Sequence, residues 1–205
     1  METIILSADH PSAISQALLI LRAGDLVAFP TDTVYGLGAL IRMPESITQL
    51  FTTKERSKQK AIPVLLGDVA DISLISVRIP TNARRLAERF WPGPLTLVVP
   101  RHPSLPEILS PSATIGVRMP DHPIALGLLR KAGPLAVTSA NISGQPSAAT
   151  AEEVHEQLGG RISLIIDGGH TPGGNPSTVV RCTQTELVIL RPGPITENDL
   201  RAVLT

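Results

Sequence analysis

The chain has 205 residues, 18 Lys+Arg balanced by 18 Asp+Glu, and 42% hydrophobic residues, enough for a proper core and against a disordered segment. Zero net charge and 2% aromatics argue against a general nucleic-acid coat, which needs surplus cations or stacking platforms. No apolar run approaches the roughly 20 residues that cross a bilayer, nothing at the N-terminus reads as a signal peptide, and one cysteine with five scattered histidines offers neither an internal disulfide nor a metal-ligand spacing, so a cytoplasmic protein with no membrane association is expected.

Short β-branched runs alternate with amphipathic stretches, the pattern of an α/β or α+β fold. Thr3–Leu6 reads as a strand, followed by a helix with Asp9 or Ser12 as cap and Ile14, Ala17, Leu18 and Leu21 on its core face, ended by Gly24. Leu26–Phe29 is a buried strand stopped by Pro30. Pro44 opens a helix carrying Ile47, Leu50 and Phe51 inward and placing Lys54 and Arg56 at its C-terminal exit. Ile62–Leu66 is the next strand. Residues 80–90 form a helix with Ala83, Leu86, Ala87 and Phe90 on one face, broken by Trp91-Pro92-Gly93-Pro94. Leu95–Val99, Ile115–Met119 and Leu135–Thr138 are strands. Thr150 and Glu153 form a capping box for a helix through Leu158. Leu164–Ile166, Thr178–Val180 and Leu187–Leu190 complete the strands, and Thr196 begins a last helix. With 19 prolines and 16 glycines spread as punctuation, and no repeat or linker, the chain is expected to form a single domain over 1–205.

Five segments carry candidate chemistry. Lys54, Arg56, Lys58 and Lys60 put four cations into seven positions against Glu55 alone. Such a run is either a solvated helix end favoured by the helix dipole or an anion site. Pro30-Thr31-Asp32-Thr33-Val34-Tyr35-Gly36-Leu37-Gly38 and Thr138-Ser139-Ala140-Asn141-Ile142-Ser143-Gly144 each follow an apolar strand with small polar side chains. Each is either a self-satisfied turn or a ligand loop at a strand end. Arg118, inside an apolar strand, needs Asp121 or another acid, or else offers its fork to a carboxylate or phosphate; Arg191 poses the same choice. No P-loop, dinucleotide fingerprint or nucleophile elbow is present, so any nucleotide would rest on a cradle of cations and hydroxyls.

In order along the chain, these segments resemble the YrdC/Sua5 family. Pro30–Gly38 carries P-T-D-T-V-Y-G-L-G intact. Lys54-Glu55-Arg56 gives K-x-R, Trp91–Thr96 gives W-P-G-P-L-T, and Thr114–Arg118 gives T-I-G-V-R. Ser139-Ala140-Asn141 gives S-x-N, Ser177–Val180 gives S-T-V-V, and Arg191-Pro192-Gly193 gives R-x-G. The resemblance implies a twisted mixed sheet flanked by helices, YrdC/RibB-like, with a large basic cleft, in the short form without the extra C-terminal Sua5 domain. It implies an L-threonylcarbamoyladenylate synthase, a nucleotidyltransferase that condenses L-threonine, bicarbonate and ATP, with Mg²⁺ on the ATP phosphates and no protein-bound metal. Its product would feed N6-threonylcarbamoyl modification of tRNA adenosine 37 through a separate transferase complex.

By motif position, Thr33, Arg118, Ser139 and Ser177 would hold threonine. Lys54, Arg56, Lys60, Thr114, Asn141 and Arg191 would hold ATP, with Lys54 and Arg56 serving catalysis. As exposed cations, Lys54 and Arg56 should be replaceable without loss of the fold. The chain departs from relatives at Ser57, Lys60 and Leu65, where many have Pro, Asn and His. Two alternatives stand beside the synthase: a YciO-type paralogue with a drifted substrate, and a module that binds double-stranded RNA through phosphates. Gly173-Gly174-Asn175-Pro176 is a candidate mobile loop beside Ser177.

Overall fold

The computed structural model describes residues 2–172, 175–183 and 186–204, so Gly173 and Gly174 of the candidate mobile loop lie outside the described residues. Among the described residues, the strands are β1 (Ile4–Ser7), β2 (Val27–Phe29), β3 (Gly36–Leu40), β4 (Val64–Leu65), β5 (Leu95–Pro100), β6 (Thr114–Arg118), β7 (Leu135–Ser139), β8 (Leu164–Asp167), β9 (Thr178–Cys182) and β10 (Leu187–Arg191). They form one sheet in the order β1-β8-β2-β3-β7-β4-β6-β5-β9-β10. Parallel pairs (β1 with β8, β2 with β8, β4 with β6, β5 with β9) alternate with antiparallel ones, giving the expected mixed sheet.

The helices are α1 (Ala13–Arg22), α2 (Pro44–Thr53), α3 (Ile72–Ile75), α4 (Thr81–Phe90), α5 (Pro123–Ala132), α6 (Ala151–Leu158) and α7 (Glu197–Leu204). On one face, Ala17 and Leu21 of α1 and Leu128 and Leu129 of α5 bury Val27, Phe29, Leu135 and Ile166. On the other, α2, α4, α6 and α7 bury Val64, Leu97, Val117 and Val180 through Phe51, Leu86, Val154 and Leu200. Each of these side chains is removed from water almost completely, which stabilises the fold by about 1.5–3 kcal/mol per large apolar group.

Several elements differ from the sequence expectation for identifiable reasons. The strand expected over 62–66 shrinks to Val64–Leu65: Pro63 has no N–H to add to the ladder, and Ile62 donates to Leu109 O (2.8 Å), outside the sheet. Gly36 and Gly38, read as ligand-loop glycines, are the start of β3. A Cβ on Gly36 would lie 2.8 Å from Val137 Cγ1, and one on Gly38 2.9 Å from Phe29 Cε1, so these glycines serve strand packing. Helix α5 is a further departure, because Gly127 lies within its apolar pattern; Pro123 opens it at its first turn. At α1, Ser12 occupies the cap position without a capping bond, its Oγ lying 2.9 Å from His10 Nδ1. At α6, Thr150 Oγ1 accepts from Glu153 N as expected, while Glu153 Oε2 takes the N–H of Ala149, one residue earlier than a capping box requires.

Gly193 lies in the turn that leaves β10 and packs against the start of β9. A Cβ there would sit 2.4 Å from Thr178 N and 2.6 Å from Pro176 O. Gly193→Ala is expected to destabilise by about 1–3 kcal/mol, lowering Tm by roughly 2–4 °C per kcal/mol. An unchanged Tm in differential scanning calorimetry would contradict this packing.

Candidate functional site

The sheet register decides which side chains share a face. Leu65 is paired with Leu135 and with Arg118, Gly36 with Ser139, Val98 with Gly116, and Thr96 with Val179, which in turn faces Arg191. Paired residues point to the same side, so these positions form one continuous surface. Helices α1 and α5 cover its β2–β7 end, and the rest lies under a cavity of about 470 Å³ walled by Thr31, Thr33–Gly36, Arg56, Ser110, Ser112, Thr114, Ser147 and Pro176–Ser177. Gly116 keeps the floor low: a Cβ there would lie 3.0 Å from Thr96 Cγ2.

Three guanidinium groups converge on this space. Arg118 is 6% exposed and is held on three sides. Its Nε donates to Gly93 O (3.0 Å), one Nη to Thr33 Oγ1 (3.0 Å), and the other to Asp32 Oδ1. The acid expected for Arg118 is thus Asp32, from the β2–β3 turn, and not the neighbouring Asp121. Two N–H groups of the fork remain for a ligand. The 31–35 turn is self-satisfied as well as ligand-facing, since Thr31 Oγ1 donates to Val34 O (2.6 Å) and accepts from Thr33 N (3.2 Å). Arg191 lies on β10 beyond a bulge between Ile189 and Arg191, which turns it back over the cavity. There its Nε and Nη2 donate to Ser177 O (3.1 and 2.8 Å), and Ser177 Oγ lies 2.8 Å from Thr96 Oγ1.

Arg56 is aimed by the end of α2. Arg56 N donates to Phe51 O (2.8 Å) and Glu55 N to Thr52 O (3.2 Å), a Schellman closure that places Glu55 in the left-handed region at φ 55°. Glycine is the usual occupant of that position, and a glutamate there stores about 1 kcal/mol of strain. The Glu55 carboxylate is held by Arg161 (2.8 Å). Arg56 then donates one Nη to Ala61 O (2.9 Å), and its Nε is buried without a partner among the described residues. Burial holds Arg56 below the ordinary arginine value, and the charge of Arg191 adds to the effect; Arg118 is likewise lowered by burial, against the pull of Asp32. Three cations, of which Arg118 alone is paired with a carboxylate, are a site built for an anion.

Not every expected residue arrives there. Thr33, Arg56, Thr114, Arg118, Ser139, Ser177 and Arg191 all line the cavity. Lys60 is exposed on the turn after α2, with its N–H bonded to Ser57 O, and does not. Asn141 is 5% exposed and does not line it either: Nδ2 donates to Ile142 O and Gln145 O (both 2.8 Å), while Oδ1 is buried without a partner among the described residues. Lys54 corrects the expectation of an exposed cation. It is 1% exposed, and its Nζ donates to the carbonyls of Ser139 and Asn141. Asp32, inside the intact P-T-D-T segment, joins the expected residues as the partner of Arg118, and Val98 and Val137 join them as an apolar floor. Cys182 is buried, and burial pushes its thiol up to about 11, which keeps it from acting as a nucleophile.

This geometry has known counterparts. The profile of the Sua5/YciO/YrdC family, described as telomere recombination, matches residues 19–193. The chain belongs to the Sua5/YciO/YrdC family. A threonylcarbamoyl-AMP synthase of Bacillus subtilis is 42% identical over 202 residues, covering 97% of this chain and 58% of the relative. A putative threonylcarbamoyl-AMP synthase of Mycobacterium tuberculosis is 40% identical over 192 residues, covering 93% of this chain and 88% of that one. The crystal structure of P. abyssi Sua5 complexed with L-threonine superposes with a TM-score of 0.94 at 40% identity, covering 98% of this chain and 61% of that one. The chain thus spans little more than half the length of the Bacillus and Pyrococcus family members. Among the described residues, no helix is long and apolar enough to cross a membrane.

Burial, with a smaller contribution from the charge of Arg56, pushes the Lys54 ammonium down to about 7 from an ordinary 10.5. Between those values the unfolded chain holds a proton that the folded protein releases, so stability rises with pH in that window and is unaffected below it. The Tm of the protein, taken relative to Lys54→Met, is expected to rise as pH increases from about 7 toward about 10.5. A flat difference in a calorimetric pH series would show that Lys54 is solvated.

Proposed function

We propose that this chain is a threonylcarbamoyl-AMP synthase, forming L-threonylcarbamoyladenylate and pyrophosphate from L-threonine, bicarbonate and ATP. The observation that carries the reading is the convergence of Arg56, Arg118 and Arg191 over one sheet face, with a single carboxylate among them. One substrate brings a carboxylate and the other a triphosphate, and the cavity supplies separate cations for each. The free N–H groups of Arg118 grip the threonine carboxylate. Ser139, whose hydroxyl takes no partner among the described residues, and Thr33 and Ser177 hold the rest of the amino acid. Leu65 and Val137 line the cavity beside them and offer an apolar contact to the threonine methyl. Arg56 and Arg191 receive the triphosphate, and Thr114 lies beside them on β6.

The chemistry asks mainly for placement and charge neutralisation. The threonine amine, once neutral, forms an N–C bond to carbon dioxide with loss of a proton to water, or to bicarbonate with loss of water, giving a carbamate. A carbamate oxygen attacks the α-phosphorus, the bond to the β-phosphate oxygen breaks, and pyrophosphate leaves with that electron pair. Arg56 and Arg191 stabilise the charge that moves onto pyrophosphate. The described residues hold no cluster of three or more His, Cys, Asp or Glu side chains, and Asp32 is engaged by Arg118. Mg²⁺ would enter with the nucleotide beside Arg56 and Arg191, where it would supply neutralisation of phosphate charge. We place the product upstream of a transferase complex that modifies adenosine 37 of tRNA, in the cytoplasm. Cations gathered inside a concave space favour small anionic ligands over the double-stranded RNA alternative.

The test is mass-spectrometric detection of threonylcarbamoyl-AMP from purified protein, ATP, Mg²⁺, bicarbonate and L-threonine. Product should depend on threonine, and Arg56→Ala should lower kcat/KM for ATP by about 10²–10³-fold, the range seen when one transition-state contact is removed. A folded protein that binds ATP and makes no product would move the assignment to a paralogue with another substrate. Serine lacks the methyl that Leu65 and Val137 contact, so it should be used about 10–200-fold less well than threonine. Equal use of the two amino acids in competition would refute that contact.

A further inference from the structure

We propose that Lys54 is not a phosphate ligand but a positioning residue that ties the exit of α2 to the exit of β7 and so sets the spacing of the two substrates. The proposal rests on the reading of the cavity as a site for ATP and threonine. Lys54 caps the C-terminal end of α2, one step before the left-handed Glu55. From there its side chain runs inward, 1% exposed, and contributes nothing to the cavity wall. Its Nζ donates to Ser139 O and Asn141 O, the carbonyls on either side of Ala140. Its own carbonyl accepts from Ser143 N (2.8 Å). Side chain and backbone together hold three positions of one loop. Ala140 N, donating to Tyr35 O (2.8 Å), fastens the same loop to β3.

The two elements joined by Lys54 carry different halves of the site. Two residues beyond Lys54, Arg56 points into the phosphate end; at the start of the tied loop, the Ser139 hydroxyl points into the threonine end. Reacting groups must meet at about 3–3.5 Å, and small displacements of either are costly. A lysine is suited to this tie because its long stem reaches from α2 to the loop while its head meets two carbonyls: Asn141 O, and Ser139 O, which also accepts from Asn141 N (3.1 Å). Methionine at this position keeps the stem volume and removes both donors.

A neutral, accessible amine is a strong nucleophile, so with its lowered pKa Lys54 would outrun ordinary lysines toward an acylating reagent if water could reach it. Brief acetylation of the native protein with a water-soluble reagent, read by peptide mass spectrometry, should label the exposed Lys58 and Lys60. Lys54 should remain unlabelled with or without MgATP. Labelling of Lys54 in the nucleotide-free protein overturns the proposal, and protection by MgATP would then mark it as a phosphate ligand. As a second arm, Lys54→Met should weaken L-threonine binding by about tenfold or more in calorimetry without nucleotide, because the loop loses both Nζ hydrogen bonds and Ser139 shifts. A phosphate ligand has no part in that measurement, so threonine affinity equal to wild type also overturns the proposal. If Lys54→Met does not fold, labelling of the wild-type protein decides alone. If the wild-type protein binds no threonine, the synthase reading fails while the labelling result still stands.

Discussion

Arg118 is the group on which the remainder of the site is arranged. A guanidinium at the end of an interior strand is tolerable only when its charge and its N–H groups are answered. Asp32, Thr33 Oγ1 and Gly93 O answer it from two separate loops. In doing so it fixes the β2–β3 turn over the sheet and holds the segment after Trp91 against β6. Removing either charge of such a pair leaves the other buried and alone, a change that typically costs 3–5 kcal/mol. The pair gives the cavity its rigid end. Arg56, held by one carbonyl, and Arg191, held by Ser177 O and Oγ, have no carboxylate partner among the described residues and form the end that still needs an anion.

The sequence announced this fold more clearly than it announced the site. Apolar runs such as Leu95–Val99 and the i, i+3, i+4 pattern of Ile47, Leu50 and Phe51 are local signals, and the strands and helices appear where those signals lie. What escaped depends on partners distant in the chain. Glycines at 36 and 38 read as part of a turn or a ligand loop, and only Phe29 and Val137 set against them show a packed strand. Arg118 advertised its need for an acid, but only the folded chain places Asp32 rather than Asp121 opposite it.

Lys54 marks the limit most clearly. In a run of lysines and arginines, one residue faces the interior and the rest face water or the cavity, and nothing in the run distinguishes it. The decision is made by a left-handed residue, Glu55, whose conformation has no reliable signature in a side chain other than glycine. One unusual φ angle thereby separates two neighbouring cations into different roles: Lys54 as a tie inside the protein and Arg56 as a charge presented to a ligand.

The position of β10 at the end of the sheet has a consequence for how tightly the site is held when empty. That strand hydrogen-bonds to β9 alone, and its ladder is already interrupted by the bulge before Arg191. Edge elements with one neighbour open locally at free energies well below that of global unfolding. An anion that engages Arg191 binds the closed strand and not the open one, so it stabilises the edge by mass action in proportion to its concentration over its dissociation constant. The last strand of the sheet is thus the part of the cavity wall with the fewest ladder partners, and the one whose order gains most from an anion at Arg191.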